Sequence, residues 1–329
     1  MNIYDVAREA GVSISTVSRV LNHRETVSAA TRAKVEAVLA RHDYAPSAIA
    51  RGMMGKPMRM VAVLTVDLRE PHYARTVYTI EREFSRRGYE VTICNTGDSV
   101  DETAKYLRSM RDKQADGFVL VGSVFDRLGR DGAVEPLLRR VPVVLANGAL
   151  PLPGAYSVLV DDRYGVGLAV DHLVAQGHRD IVYLKVLDTD SARAKRDGFV
   201  QAMARHGLPC TDAHVLEVEK SLDGGLAAAK TLLEGALPFT AVVCGEDVAA
   251  AGALKGFLRA GLRVPQDVAV IGYNNSEYAR TCEPQLTTVD NKPETVGMLC
   301  VQLLAGRIEG TGEYPSLTIQ PELVRGGTA

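Results

Sequence analysis

The 329-residue chain is long enough for about two domains, and 46% hydrophobic with 24% charged residues is the composition of a folded protein. This excludes a disordered or collagen-like chain. Five widely spaced cysteines, with no Cys-x-x-Cys pair, exclude a disulfide scaffold and a zinc or redox site of that kind. The N-terminus lacks a basic region followed by an apolar run, so we expect a cytoplasmic protein without a secretory signal. The one long uncharged run, residues 141–160, contains prolines and glycines, and no membrane span is expected.

Charge is distributed unevenly along the chain. Residues 1–60 hold nine Lys and Arg against five Asp and Glu, whereas the remainder holds 29 against 35. A basic N-terminal part joined to an acidic body predicts a polyanion-binding module attached to a domain with a different task.

Three short helices are predicted in the first 45 residues. The first ends at Gly11, the second covers residues 14–21 after Ser13, and the third begins after Ser28. A short turn between the first two helices is typical of a helix-turn-helix.

The same region contains an ordered series of short motifs. They are Tyr4-Asp5-Val6-Ala7, Ala10-Gly11-Val12-Ser13, Thr16-Val17-Ser18-Arg19-Val20-Leu21-Asn22, Val27-Ser28 and Thr31-Arg32. This series closely resembles the DNA-binding headpiece of the LacI/GalR (lactose-repressor) family of bacterial regulators. A generic three-helix bundle with a solvated polar face is the alternative.

The resemblance implies which residues contact DNA. The second helix would enter the major groove with Ile14, Ser15 and Arg19 at the base-reading positions, and Arg19 would be the partner of a guanine. The positions that match phosphate-contacting residues of the family are Asn2, Tyr4, Ser13, Thr16, Ser18, Asn22, Ser28 and Thr31.

Residues 46–59 resemble the family's hinge, a short helix that forms on DNA and inserts an apolar wedge into the minor groove. Met53 falls at the wedge position, where the family usually has Leu. Gly52 costs about 1 kcal/mol of helix propensity, so we expect the hinge helix only on DNA. An ordinary linker is the alternative.

From residue 60 onward, apolar runs of strand length alternate with helical segments, which predicts doubly wound parallel sheets. Strands are predicted at residues 60–66, 90–94, 117–121, 143–146, 158–160, 180–184, 214–218, 241–245 and 268–272. Helices are predicted at residues 73–87, 101–113, 134–140, 164–176, 194–206, 226–234 and 248–260. Gly224-Gly225 is predicted to form a turn before a helix.

Further family-like motifs extend the resemblance to about residue 325. They are Gly177-His178-Arg179-Asp180-Ile181, Gly198-Phe199, Val264-Pro265-Gln266-Asp267-Val268, Ile271-Gly272-Tyr273 and Leu286-Thr287-Thr288-Val289. The implied fold is a small all-α helix-turn-helix headpiece plus an α/β body of two doubly wound parallel-sheet lobes, similar to periplasmic binding proteins. The domains would be the headpiece at 1–45, the hinge at 46–59, and an effector-binding and dimerisation domain at 60–329. Within that last domain, one lobe would hold 60–159 and 289–318, and the other 160–288 and 319–329.

The resemblance also implies an effector site between the lobes, at the carboxyl ends of the strands. The matching positions are Asp67, Tyr73, Asn147, Lys195, Lys220, Glu246 and Asn274. Asp161, Asp162 and Asp247 precede apolar helical runs and are expected to cap helices or hold loops.

Several of these positions depart from the family pattern. Asn147 and Asn274 stand where Asp is common, Lys195 where Arg is, Lys220 where an aromatic residue often is, and Glu246 where Asn is. Fewer carboxylates and an added lysine favour an acidic or phosphorylated sugar as effector. The alternative is that both lysines point to solvent.

No motif for a nucleophile, metal or nucleotide site is present, so we expect neither an enzyme nor a cofactor. The interpretation is a homodimeric transcriptional regulator, expected to be a repressor, that binds a palindromic double-stranded operator and responds to a sugar or sugar derivative. The alternative is a cleft protein that binds or modifies a sugar without regulating DNA. Sequence alone does not distinguish an inducer from a co-repressor, or identify the operator.

Overall fold

The computed structural model describes residues 3–21, 26–42, 58–132, 134–139, 141–311 and 315–329. The chain divides into two compact units, Met1–Met58 and Arg59–Ala329. Within the described ranges, no helix is both long and apolar enough to span a membrane.

The N-terminal unit is a three-helix bundle. Its helices are α1 (Ile3–Ala10), α2 (Ile14–Leu21) and α3 (Ala29–Arg41). Val6, Val17 and Val35 are fully buried and hold the three helices together. Gly11, with φ of 65°, allows the tight turn between α1 and α2, as the sequence predicts. Residues 43–57, which include nearly all of the predicted hinge, lie outside the described ranges.

The larger unit contains two six-stranded sheets, and the first lobe is built on the first of them. Its strands lie in the order β11-β5-β4-β3-β1-β2, and every pair is parallel. The strands are β1 (Met60–Thr65), β2 (Glu90–Asn95), β3 (Gly117–Val121), β4 (Val143–Ala146), β5 (Ala155–Val160) and β11 (Leu317–Ile319). The helices beside it are α4 (Pro71–Arg86), α5 (Val100–Asp112), α6 (Glu135–Leu138) and α12 (Pro293–Glu309), with a 3₁₀ segment at Ser123–Arg130.

The second lobe repeats this plan. Its strand order is β12-β10-β9-β8-β6-β7, in which only the β10–β12 pair is antiparallel. The strands are β6 (Ile181–Lys185), β7 (Val215–Glu217), β8 (Ala241–Cys244), β9 (Ala269–Tyr273), β10 (Thr287–Asp290) and β12 (Glu322–Val324). The helices are α7 (Asp162–Ala175), α8 (Asp190–Arg205), α9 (Leu222–Glu234), α10 (Asp247–Arg259) and α11 (Glu277–Thr281), with a 3₁₀ turn at Asp212–His214.

Each sheet has an apolar core on both faces, which is why its central strands, such as β3, β4 and β8, are apolar throughout rather than alternating. In the first lobe, Val63 faces the core under α4 and α12, and Leu64 faces the opposite core. In the second lobe, Val243 faces one apolar core and Val242 faces the core on the other side of the sheet. Such a three-layer arrangement brings the carboxyl ends of parallel strands to one edge of each sheet.

The chain passes between the sheets three times, after β5, after β10 and between β11 and β12. β10 continues to Asp290, two residues beyond the lobe boundary expected at 288. The long helix α12 was not among the predicted elements, and it packs against α4 beside the first sheet. Gly224 and Gly225 lie inside α9, so the turn predicted there is wrong.

Candidate nucleic-acid interface and effector cleft

Helix α2 presents the predicted base-reading residues on its exposed face. Ile14 is 41% exposed, and Ser15 and Arg19 are exposed as well. Val17 and Val20, on the opposite face, are buried in the bundle core. The helix therefore holds these three side chains on a surface free to meet another molecule.

Hydroxyl groups cluster where α2 and α3 begin. Ser13 Oγ lies 2.8 Å from Ser15 Oγ and accepts a hydrogen bond from the Thr16 amide at 3.2 Å. Ser28 caps α3 by accepting a hydrogen bond from the Thr31 amide, and its hydroxyl donates to Thr31 Oγ1 at 2.9 Å. These helix N-termini, with their free amides, suit phosphate groups.

Of the remaining predicted DNA contacts, Tyr4 is 63% exposed and Ser18 is partly exposed. Asn2, Asn22 and Met53 lie outside the described residues, so the structure gives no account of them.

The effector cleft lies between the two lobes of the larger unit. Its walls are formed where strands end, by Gly122 after β3, Asn147 after β4, Glu246 after β8 and Asn274 after β9. Five of the seven predicted effector residues line it, namely Tyr73, Asn147, Lys195, Glu246 and Asn274. The space that the lining atoms enclose, including its mouth, is about 670 Å³.

A buried charged cluster occupies the second-lobe wall. Lys195 Nζ donates to the Gly245 carbonyl at 2.9 Å and lies 3.4 Å from Glu246 Oε1. Asn274 Nδ2 donates to Glu246 Oε2 at 2.7 Å. Lys195 Nζ also lies 3.9 Å from the ring centre of Tyr273. Every one of these groups has a partner, as buried polar groups require.

Burial and the neighbouring charges set the protonation of the cleft. Burial opposes ionisation of Glu246, but Lys195 and Lys220 outweigh it and lower the pKa of Glu246 to about 2. Burial lowers the pKa of His72 to about 3, so that this imidazole is neutral at pH 7. Burial likewise raises the pKa of Tyr73 to about 12. Among the described lining residues, Lys195 and Glu246 form one pair of opposite charge, so the lining as a whole carries no excess charge.

Asn147 joins the two lobes at the crossing after β5. Its Oδ1 accepts from the Val160 amide at 3.1 Å, and its Nδ2 donates to Asp162 Oδ2 at 3.3 Å. Asp162 also accepts from the hydroxyls of Tyr273 at 2.6 Å and Ser191 at 2.5 Å. Asn147 therefore lines the cleft while holding its base together.

Tyr73 packs closely over Gly122, on the first-lobe side of the cleft. Gly122 has φ of 123°, and a Cβ there would lie 3.1 Å from the Tyr73 hydroxyl. Both the left-handed backbone and the close ring require glycine at this position.

Two predicted effector residues lie elsewhere. Asp67 lies outside the cleft lining and pairs with Arg69 at 2.7 Å, and hydrogen bonding from that guanidinium lowers the pKa of Asp67. Lys220 lies beside the cleft and pairs with Glu70 at 3.0 Å. Neither Lys195 nor Lys220 points to solvent, since their side chains are 7% and 15% exposed. Because both lysines pair with carboxylates, neither of the two is an unpaired cation.

Sequence reasoning missed several polar residues of the cleft lining, among them His72, Ser123, Ser191 and Asn291. Ser123 is the second residue after β3, and Asn291 directly follows β10, so the rule that sites gather at strand ends could have found them. His72 and Ser191 lie in the first turns of α4 and α8 and carried no comparable signal.

Asp161 and Asp247, which were expected to cap helices or hold loops, do so. Asp161 caps α7 by accepting from the Tyr164 amide at 2.9 Å. Asp247 accepts from the Ser276 amide at 2.7 Å and from the Thr288 hydroxyl at 2.6 Å. Burial raises the pKa of Asp247 to about 7.

An exposed helix-turn-helix face and a cleft between two parallel-sheet lobes together define a ligand-responsive DNA-binding regulator. The model of the bacterial regulatory proteins of the lacI family matches residues 2–47, and that of the periplasmic binding protein-like domain matches residues 170–329.

Full-length relatives agree with this assignment. An HTH-type transcriptional regulator of Lachnoclostridium phytofermentans is 35% identical over 326 residues, covering 98% of each chain. The ribose operon repressor of Escherichia coli is 34% identical over 328 residues, covering 99% of this chain and 98% of the relative. The repressor PurR of Photorhabdus laumondii is 31% identical, covering 98% and 95%.

Solved structures also match over the whole of this chain. The lac repressor dimer bound to operator and the anti-inducer ONPF has a TM-score of 0.84 at 28% identity, with 98% of its chain covered. The complex of the transcriptional regulator CelR with cellobiose has a TM-score of 0.74 at 28% identity, with 100% covered. The protein belongs to the lacI family, which confirms the expected family and fold. It is a sequence-specific DNA-binding repressor of that family, controlled by a small-molecule effector.

Proposed function

We propose that the protein represses transcription as a homodimer on a palindromic operator, and that a neutral, polyhydroxylated sugar bound between the lobes changes its affinity for that operator. The buried, charge-balanced pair of Lys195 and Glu246 in the cleft is the observation that carries the effector class.

The inference that the effector is uncharged follows from the charges that a ligand would meet in the cleft. An anionic ligand would need a cation that is not already neutralised, but the lysines in and beside the cleft pair with Glu246 and Glu70. A sugar hydroxyl can donate to a carboxylate or amide oxygen and accept from an ammonium group. The cleft offers both kinds of partner within one wall.

Asn291 supplies a second argument for a hydroxyl-bearing ligand. Its Nδ2 donates to Asn274 Oδ1 at 2.9 Å, whereas its buried Oδ1 has no partner among the described residues. A buried acceptor without a donor costs free energy, about 1–3 kcal/mol, which a ligand hydroxyl would recover. The named effector of the CelR complex, cellobiose, and the ribose operon repressor as a relative agree with a sugar.

A base-reading role for Arg19 rests on its place on the exposed face of α2. Arg is suited to bidentate pairing with guanine, whereas Ile14 and Ser15 reach less far and would act by apolar contact or a short hydrogen bond. The lac repressor structure, a dimer bound to operator, supports a dimer of this protein in which two headpieces bind one palindromic operator.

Apolar side chains exposed on the larger unit provide a surface for the second protomer. Leu222, Leu258 and Tyr278 line one shallow groove on the second lobe, and Tyr78 and Tyr278 line an adjoining one that reaches α4. Tyr78 is 60% exposed and Leu258 40%. Contiguous exposed apolar groups of this kind mark an interface.

Selection of bound fragments from a random DNA pool tests the regulatory part of the proposal. We expect an enriched palindrome; labelled copies of it would then report binding, because the chain has no Trp to serve as a fluorescent probe. A panel of neutral mono- and disaccharides, uronic acids and phosphosugars would be added to that complex.

A neutral sugar that changes operator affinity supports the proposed effector. A response confined to the uronic acids or phosphosugars would contradict the neutral class. No enriched sequence in repeated selections would instead favour a cleft protein that binds or modifies sugar without regulating DNA.

A further inference from the structure

Glu70 lies at the N-cap of α4 but does not cap it. Its side chain makes no hydrogen bond to the first amides of the helix, and Pro71 occupies the first turn. The carboxylate instead reaches across to the second lobe, where Oε2 lies 3.0 Å from Lys220 Nζ. Glu70 therefore forms a contact with the other lobe instead of capping its own helix.

Lys220 lies between two carboxylates that belong to different lobes. It pairs with Glu70 of the first lobe, and its Nζ lies 4.0 Å from Glu246 Oε2 of the second. The ring centre of Tyr73 lies 5.4 Å away. Burial disfavours the charged ammonium, but Glu246, Tyr73 and Glu70 outweigh it and raise the pKa of Lys220, so the ammonium keeps its charge at neutral pH.

A second polar contact between the lobes lies beside the crossing segment. Arg75 Nη1 donates to the Asn275 carbonyl at 2.9 Å, and Asn275 Nδ2 donates to Asp290 Oδ2 at 3.0 Å where β10 ends. Glu70 lies five residues earlier on the helix, about 7.5 Å along its axis. The Glu70–Lys220 and Arg75–Asn275 contacts are therefore two separate polar contacts between the lobes.

We propose that Glu70 and Lys220 act as a pair of positioning residues that hold the effector cleft closed and keep Glu246 oriented toward the ligand. Lys220 would act from a position next to the cleft, since it is not one of the residues that line the cleft. The inference rests on the proposed effector role of the cleft, and it adds Glu70, which no sequence motif indicated, to the residues that set effector affinity.

Hydrogen–deuterium exchange of the full-length protein, without DNA or effector, tests the closure directly. Glu70→Gln is the sharpest variant, because it removes the interlobe partner and leaves the contact between Lys220 and Glu246 in place. We expect exchange of the segments around residues 70–77 and 219–226 to rise about two- to fivefold, the range of a partly exposed ion pair. Exchange in α12, within the first-lobe core, should stay unchanged.

Glu217→Gln provides a matched control. Glu217 pairs at 2.8 Å with Lys185, whose side chain is 14% exposed, close to the 15% of Lys220, but both members lie in the second lobe. This variant should leave exchange at residues 70–77 unchanged. Lys220→Arg, which keeps the charge and reach, should behave like the wild type.

A double variant, Glu70→Gln with Lys220→Met, decides whether the two residues act together. Its exchange should exceed that of Lys220→Met alone by little, because the pair is already broken. Additive effects, wild-type exchange in Glu70→Gln, or an equal rise in α12 would overturn the proposal. This experiment contains neither effector nor DNA. Its result therefore does not depend on whether a neutral sugar or a palindromic operator is found to bind, and a negative exchange result would leave the proposed sugar and operator untouched.

Discussion

Lys195 Nζ and Glu246 Oε1 lie 3.4 Å apart in the wall of the cleft, and their side chains are 7% and 9% exposed. Lys195 comes from the second turn of α8, and Glu246 is the second residue after β8. Two separate elements therefore bring opposite charges together where a ligand would bind. Burying such a pair is costly unless both members stay, and removing one leaves an uncompensated charge.

Glu246→Gln should accordingly remove the effector response and lower the stability of the protein. Loss of one member of a buried pair costs about 3–5 kcal/mol, and here Lys195 would keep the Gly245 carbonyl and the Tyr273 ring but lose its opposite charge. Thermal unfolding and effector titration of the operator complex measure the two effects. Asp267→Asn, which breaks an exposed pair with Arg263, is the control and should change neither. Full effector response in Glu246→Gln would show that this carboxylate lies outside the ligand site.

Arg19→Ala should relax operator preference at one base pair in each half-site. A good bidentate pair contributes about 1–3 kcal/mol of discrimination, so binding to the selected palindrome should weaken about 5- to 150-fold per half-site. Binding to palindromes altered at that base pair should weaken much less. Arg8→Ala removes another exposed headpiece charge, on α1, and should weaken all sequences alike. If both variants lost affinity uniformly, Arg19 would be a phosphate contact.

The sequence predicted the central strands of the parallel sheets well, because β3, β4 and β8 are buried along their whole length and form short apolar runs. Helix starts were less predictable. Predicted starts at residues 194 and 226 fall four residues after the observed starts of α8 and α9, whose caps are Thr189 and Ser221. Those caps precede polar or glycine-containing first turns, so the apolar pattern begins later than the helix. Helix α12 is apolar around most of its circumference and lacks the amphipathic period that the prediction relied on.

The candidate cleft could be predicted in position but not in its pairing of charges. Strand ends located Asn147, Glu246 and Asn274 correctly at the cleft, because topology alone brings such ends together. The partner of Lys220 is Glu70, 150 residues away in sequence, and it occupies a helix N-cap. No local spacing relates these two residues, so the sequence did not show that Lys220 pairs with a carboxylate, and the charge of the effector stays a prediction.

Asp126→Asn should flatten the pH dependence of stability. Burial raises the pKa of Asp126 to about 7, Asp190 adds to the shift, and the Ala149 amide and Arg193 oppose it. A carboxyl group with a folded pKa above its unfolded value of 3.8 binds a proton more tightly when folded, so its contribution to stability falls as pH rises from about 4 to 7. Asparagine keeps the acceptor for the Ala149 amide but cannot ionise. Thermal midpoints at pH 5 and pH 8 should differ less in the variant, and an equal difference in both proteins would contradict the shifted ionisation.

Gly225→Ala should separate α9 from α10. A Cβ at Gly225 would lie 2.1 Å from the Ala249 carbonyl oxygen and 2.8 Å from the Gly252 Cα, and backbone atoms cannot move aside as a flexible side chain can. Overpacking of this kind costs about 1–3 kcal/mol or more. Gly132→Ala is the matched control, because that Cβ would meet no atom within 4 Å. Thermal unfolding should show a loss for the first variant alone, and equal midpoints would mean that the two helices separate without cost.

Leu258→Glu should convert the proposed dimer into monomers. Leu258 lies on α10 in the apolar groove with Leu222 and Tyr278, and burying a charge there against a second protomer would leave it without a partner. Leu233, which is 40% exposed like Leu258, lies on α9 outside both grooves, and Leu233→Glu is therefore the control. Analytical ultracentrifugation should give a monomer for Leu258→Glu and a dimer for Leu233→Glu, and a palindromic operator should bind the former more weakly. If Leu258→Glu remained a dimer, the protomers would associate through another face.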